Sequence, residues 1–156
     1  MNFPYWTGKT DISREIGSSG PYTVDSKLSF FHKKFRVSVL PGFRTDGVSK
    51  SWPLFFIDRF FMSIAPAAIT HDALYTAQWT SKSFADYVLL VAAISCLDLE
   101  DMEKDHPFWK KVSFLWNRIQ AFFVFLAVFF GGWLAWRNKT SEDLVFGRSH
   151  VEFFRW

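Results

Sequence analysis

The sequence predicts an α+β domain, with a small N-terminal antiparallel sheet followed by three to four helices, the last of them long and apolar. Three observations carry that prediction. The segment FRVSVL (35–40) alternates apolar and polar residues, the period of a half-buried strand. In SWPLFFIDRFFMSI (51–64) apolar residues recur at 54, 57, 60, 61 and 64, a helical spacing. From Ala121 to Trp136 no residue is charged, a run too long for a strand.

Taken in order, residues 1–21 look irregular, with Gly17, Ser18, Ser19, Gly20 and Pro21 forming a turn cluster. YTVDSKLSF (22–30) and FRVSVL read as two strands. Pro41-Gly42 forces a turn, and FRTDGVS (43–49) follows as a loop. After the helix at 51–64, Pro66 suits the first turn of the next helix, AAITHDALYTAQW (67–79). Ser81 or Ser83 can cap a third helix, SFADYVLLVAAISCL (83–97). Asp98 to His106 is a charged connector, and Pro107 restarts the chain into a helix from about Phe108 to Trp136. The remainder reads as a polar-aromatic tail with a short strand at LVFG (144–147) or VEFF (151–154). The organisation expected is an N-terminal segment 1–21, one domain over 22–136 and a tail over 137–156.

At 156 residues the chain can bury a core without staples. Its single cysteine, Cys96, excludes an internal disulfide and lies in an apolar run, as a buried, inert thiol made in a reducing compartment would. Aromatic residues make up 21%, with 20 Phe and 8 Trp, which points to bulky core filling or to a surface meant for an apolar partner. The net charge of +3 is mild and the basic residues form no run, so nucleic acid is not indicated, whereas weak attraction to anionic lipid is compatible. Lys9, Asp11, Arg14 and Glu15 interrupt the N-terminus, which is not expected to be a signal peptide.

A helix over 113–136 would be about 36 Å long, enough for a hydrocarbon core of roughly 30 Å. Trp116 and Trp133 would stand about 26 Å apart along it, near the two interfaces that Trp favours. Three readings stay open: a transmembrane span, an interfacial helix, and a core helix.

The chemistry-bearing residues centre on His71-Asp72 in an otherwise apolar stretch, where charges must be paired or functional. His71 and Tyr75 share a helix face, and Asp72 points about a quarter-turn away. Asp86, on the next helix, can meet the His71 ring, fix its tautomer and leave the other nitrogen free to take a proton from water. Asp72 can hold a hard cation such as calcium, the candidate cofactor. A second constellation, Thr45-Asp46-Gly47 with Ser49, reads either as a capped turn or as the mouth of the same site, with Asp46 a second candidate metal ligand. His32, His106 and His150 lie in unpatterned segments, and no zinc motif occurs.

The segments PGFRTDGVS, AAITHDALY and FADYVLL, in that order, resemble a family common in tailed-phage genomes, domain-of-unknown-function family 1353. The matching residues are Gly42, Phe43, Thr45, Asp46 and Ser49, then His71, Asp72, Leu74 and Tyr75, then Ala85 and Asp86. The resemblance covers about residues 22–136. The chain departs from the family in having Ser49-Lys50-Ser51-Trp52-Pro53 in place of Ser-x-Pro, and a wholly apolar stretch before Gly131-Gly132-Trp133 where the family carries an Arg. More distantly, His-Asp-x-x-Tyr with an Asp on the following helix is similar to the phospholipase A2 pattern. That likeness implies His71 as base, Asp72 as calcium ligand, and Asp86 and Tyr75 as the orienting pair. PGFRTDG is the one candidate for a calcium loop.

These resemblances imply a phage-encoded, envelope-associated protein acting as a metal-assisted hydrolase of a lipid ester or a related substrate. The alternative is a non-enzymatic phage protein, either a virion component or a membrane factor that alters the host envelope to exclude other phages. A third reading is a soluble binding module with a structural His-Asp pair. The partners expected are membrane lipid or the host envelope, and other phage proteins. The protein would be synthesised in the bacterial cytoplasm and end in a membrane or a virion.

Overall fold

The computed structural model describes residues 4–8, 10–13, 21–45, 63–102 and 107–156. The larger of two antiparallel sheets joins, side by side, β1 (Tyr5–Thr7), β4 (Leu28–His32), β5 (Phe35–Val39) and the C-terminal β7 (Val151–Arg155). The smaller joins β2 (Ile12–Ser13), β3 (Tyr22–Val24) and β6 (Arg44–Thr45) in that order. Among the described residues five helices accompany them: α1 (Ala65–Ala77), α2 (Lys82–Met102), α3 (Pro107–Gly131), α4 (Trp133–Arg137) and α5 (Ser141–His150). The α+β class and the long apolar helix are as the sequence predicts.

Strand register follows from the pleat. Leu28 pairs with Val39, Phe30 with Val37 and His32 with Phe35, so all six fall on one face. Trp6, opposite Phe30, and Phe153, opposite Val37, extend that face across the sheet. Phe30, Phe35 and Val37 are wholly buried against the helices; burying each such side chain contributes roughly 1.5–3 kcal/mol. The helices approach closely because their inner positions are small: Ala67, Ala73 and Ala77 on α1, and Ala85, Ala92 and Ala93 on α2, are all buried.

Several boundaries differ from expectation. The stretch 22–30 is not one strand, because Asp25-Ser26-Lys27 carries the chain from the smaller sheet to the larger. The N-terminal segment contributes β1 and β2. The tail is part of the fold. VEFF is a strand as predicted, but LVFG lies inside α5, which opens with a capping box between Thr140 and Asp143. Pro66 stands in the first turn of α1, and the Ser81 hydroxyl accepts from the Phe84 N–H at the start of α2. Apart from Ser63 and Ile64, the helix expected over 51–64 lies outside the described residues.

The apolar helix does not continue to Trp136. It stops at Gly131, and α4 begins after Gly132. Two glycines in succession are poor helix formers. Gly132 is also close to α1: a Cβ there would stand 2.6 Å from the Tyr75 hydroxyl. Helical hydrogen bonds carry on across Gly132 into α4, where the Trp136 ring lies edge-on to Tyr75 at 5.0 Å and the Gln78 side-chain amide donates to the Trp136 carbonyl at 2.7 Å.

The two sides of α3 differ. Ala121 is buried, and Val124 and Val128 pack on the core beside it. Arg118 donates to both oxygens of Asp98 on α2, at 3.0 and 3.3 Å. At about 100° per residue from Ala121, the polar side chains Ser113, Asn117, Arg118 and Gln120 fall on the inner half or its flanks. Val112, Trp116, Ile119, Phe123 and Phe130 fall opposite and are exposed, Phe130 by 76%. An ordinary surface helix shows the reverse arrangement.

Candidate functional site

The His-Asp element is on α1, whose right-handed turn places His71 and Tyr75 one above the other, their rings 4.1 Å apart. α2 returns beside it with a second pair at the same spacing, Lys82 and Asp86. The two pairs converge on the Asp86 carboxylate, which is fully buried. Its Oδ1 accepts from His71 Nε2 at 3.1 Å and from the Tyr75 hydroxyl at 2.6 Å; its Oδ2 accepts from Lys82 Nζ at 2.7 Å. The Lys82 ammonium reaches on to the carbonyls of Val128 and Phe129, at 3.2 and 2.8 Å. These belong to the last turn of α3, where a cation is favoured; the Val128 carbonyl also accepts from the Gly132 N–H at 2.7 Å.

The charge states follow from these contacts. Burial works to raise the pKa of Asp86, but the hydrogen bonds from His71, Lys82 and Tyr75 outweigh it and hold the carboxylate ionised. Burial lowers the pKa of His71 more than Asp86 raises it, so the imidazole is neutral at pH 7. Because a carboxylate only accepts, the Nε2 of a neutral His71 carries the proton and Nδ1 keeps its lone pair. Burial, followed by the bond to Asp86, pushes the Tyr75 phenol far above its usual value, so it remains a donor.

The sequence-predicted residues therefore divide. His71, Asp86 and Tyr75 form one hydrogen-bonded cluster in the predicted pairing. Asp72 is beside it and not in it: its Oδ1 is 3.9 Å from His71 Nδ1, and its Oδ2 accepts from Thr45 Oγ1 at 2.5 Å. The Thr45 element thus reaches the His71 helix, while Asp46, Gly47 and Ser49 lie outside the described residues. Lys82 escaped sequence reading. Its i,i+4 relation to Asp86, and the need of a buried carboxylate for a cation, were the signals that could have found it.

Calcium takes roughly six to eight oxygen ligands. Among the described residues this corner offers the Asp72 carboxylate and the Thr45 hydroxyl, while Asp86 already holds an ammonium. No group of three or more His, Cys, Asp or Glu among the described residues is placed to hold a metal. The described part of the site does not fit calcium.

Cys96 is buried, and burial pushes its thiol up to about 12. His32 stacks on Phe35, and His150 is bonded to Ser149 and the Phe146 carbonyl, both away from the cluster. Two cavities, one beside Ser141 and Phe146 and one beside Trp6 and Cys96, have none of His71, Asp72 or Asp86 in their described linings.

Comparison with curated proteins and with solved structures finds no match. A family model described as "protein of unknown function (DUF1353)" matches residues 22–105, which include the whole His71–Tyr75–Lys82–Asp86 cluster and end before α3. That is more than half of the chain, and the protein belongs to this family.

Proposed function

We propose that this is a phage-encoded, envelope-associated protein that works at a membrane through the outward face of α3 and α4, as a non-enzymatic factor that alters the host envelope. The observation that carries the reading is the inverted polarity of α3. The stretch Val112–Gly131 is long and apolar enough to cross a membrane, with a mean hydropathy of 1.6, and only 6% of it is buried. A core helix of a soluble domain passes the same length test but is mostly covered by protein. Here the exposed side carries rings and aliphatic chains, and the polar groups turn inward.

Cell fractionation tests the reading. Wild-type protein is expected in the membrane fraction. A triple variant, Trp116→Lys with Phe123→Lys and Phe130→Lys, is expected in the soluble fraction, because immersing each large side chain contributes roughly 1.5–3 kcal/mol. Wild-type protein recovered wholly as soluble material sinks the proposal.

A hydrolytic reading is favoured by one observation, the neutral His71 whose Nδ1 faces the Asp72 carboxylate. In that reading Nδ1 takes a proton from water, while Asp86 and Tyr75 hold the ring. The low exposure of His71, 6%, weighs for a structural role instead. His71→Gln separates the two: under a structural role the biological effect follows the amount of folded protein, whereas a catalytic base is lost even from a fully folded variant, by about 10²–10⁴-fold.

A further inference from the structure

We infer that α3 and α4 lie flat in one leaflet of the bilayer and do not span it; this rests on the membrane reading above. A spanning helix must project at least one end away from the domain it belongs to. From its middle to its C-terminal end, α3 is instead fastened to the domain. In its middle, Arg118 is bonded to Asp98 of α2 at 3.0 Å. At its C-terminal end, Lys82 of α2 holds the Val128 and Phe129 carbonyls. One turn beyond Gly132, Trp136 is docked on Tyr75 and bonded by Gln78, so the chain stays against α1 there. Crossing the bilayer in this packing would carry the Arg118–Asp98 pair, whose side chains are 37% and 44% exposed, into hydrocarbon, where exposed charge is costly.

The outward face suits an in-plane position. Leu115, Trp116, Phe122, Phe123 and Phe130 are exposed on α3, and Trp133 and Leu134 continue the apolar surface on α4. Charge selects lipid over a generic apolar partner. Between Pro107 and Lys139 the sequence has five basic residues, Lys110, Lys111, Arg118, Arg137 and Lys139, and no acidic one. A helix that is basic and aromatic, with a strong apolar face, settles at the boundary between anionic headgroups and acyl chains.

The test uses two single substitutions in the full chain: Asp105→Cys, in the segment joining α2 to α3, and Glu142→Cys, on α5. The native Cys96 is buried and its thiol held protonated, so wild type serves as the blank. Each variant is expressed in bacteria, and spheroplasts and inverted membrane vesicles are treated with a membrane-impermeant maleimide. In-plane insertion predicts that both thiols react from the same side, with no gain when detergent is added. One thiol reacting in spheroplasts and the other in inverted vesicles means that α3 spans, which overturns this inference and leaves the membrane reading intact. Protein that is wholly soluble, with α3 covered by a second copy or another protein, overturns both. If Asp105→Cys fails to accumulate, Lys104→Cys reports the same end of α3.

Discussion

The α1–α2 interface and the outer face of α3 distribute polarity in opposite ways. At the interface, a carboxylate, an ammonium, an imidazole and a phenol are all buried, yet each has partners: Asp86 accepts three hydrogen bonds, and Lys82 donates to Asp86 and to two carbonyls. On α3 the inside holds Arg118, paired with Asp98, and the outside holds Trp116, Phe123 and Phe130 in contact with solvent. Burying charge is tolerated where partners satisfy it, whereas exposing a continuous apolar face has no such internal remedy and calls for an external partner. The two regions meet at Lys82. The buried cluster both joins α1 to α2 and fastens the end of the exposed helix.

The largest effect is expected from breaking the buried side of this comparison. Asp86→Ala leaves the Lys82 ammonium buried without its carboxylate, and should destabilise the protein by about 3–5 kcal/mol in denaturant unfolding. Replacing both charges together, Lys82→Met with Asp86→Leu, should cost less than Asp86→Ala alone, since no unpaired charge remains. If the double variant is the less stable of the two, the cluster contributes something other than charge compensation.

Gly147→Ala should have the next largest effect. Gly147 is where α5 meets α1, and an added Cβ would stand 2.6 Å from the backbone of Thr76 and Ala77. Backbone cannot yield as a side-chain end can, so a loss of roughly 1–3 kcal/mol is expected. An unchanged unfolding midpoint would contradict the placing of the C-terminal residues in the fold.

This contact also shows where the sequence was legible. Periodicity located the strand over 35–39, and Pro66 and the Ser81 or Ser83 cap placed the helices that carry His71 and Asp86, because pleat, proline and cap signals are local properties. The pairing of His71 with Asp86 was also legible, since a buried imidazole requires an acceptor and few acids lie near. The C-terminal segment was not. LVFG alternates no more like a strand than like a helix, and its state is decided by the Thr140–Asp143 capping box and by Gly147 fitting against α1, the second a contact between distant parts of the chain. The sequence was read as one helix through Gly131-Gly132 to Trp136; the Tyr75 hydroxyl that leaves no room for a Cβ at Gly132 was not legible. Lys82 had a local signal in its i,i+4 acid, Asp86, but its carbonyl partners, 46 and 47 residues away, were not legible.

Acid should weaken the buried region by a smaller amount. The folded pKa of His71 lies below its ordinary 6.5. Between the two values the unfolded chain binds a proton that the folded chain does not, so stability falls as the pH drops below 6.5, by up to about 1.4 kcal/mol per pH unit. The lowered pKa of Asp86 adds a loss of the same sign further down, through the carboxylate range. His71→Gln keeps an amide donor for Asp86 and should flatten the upper part of the profile. An equally steep profile in that variant would assign the effect to another group. Thr140→Ala, which removes the N-cap hydroxyl of α5, should cost about 1 kcal/mol.

The central claim is that the apolar face of α3 and α4 meets lipid. Quenching of tryptophan fluorescence by brominated acyl chains tests it most directly, in vesicles of phosphatidylethanolamine and phosphatidylglycerol. Trp116 and Trp133 are both exposed, at 58% and 53%. The account predicts strong quenching of the wild-type protein, most of it lost when both are replaced by Phe. Wild-type fluorescence that is indifferent to the brominated lipid, or quenching undiminished in the double variant, would contradict it.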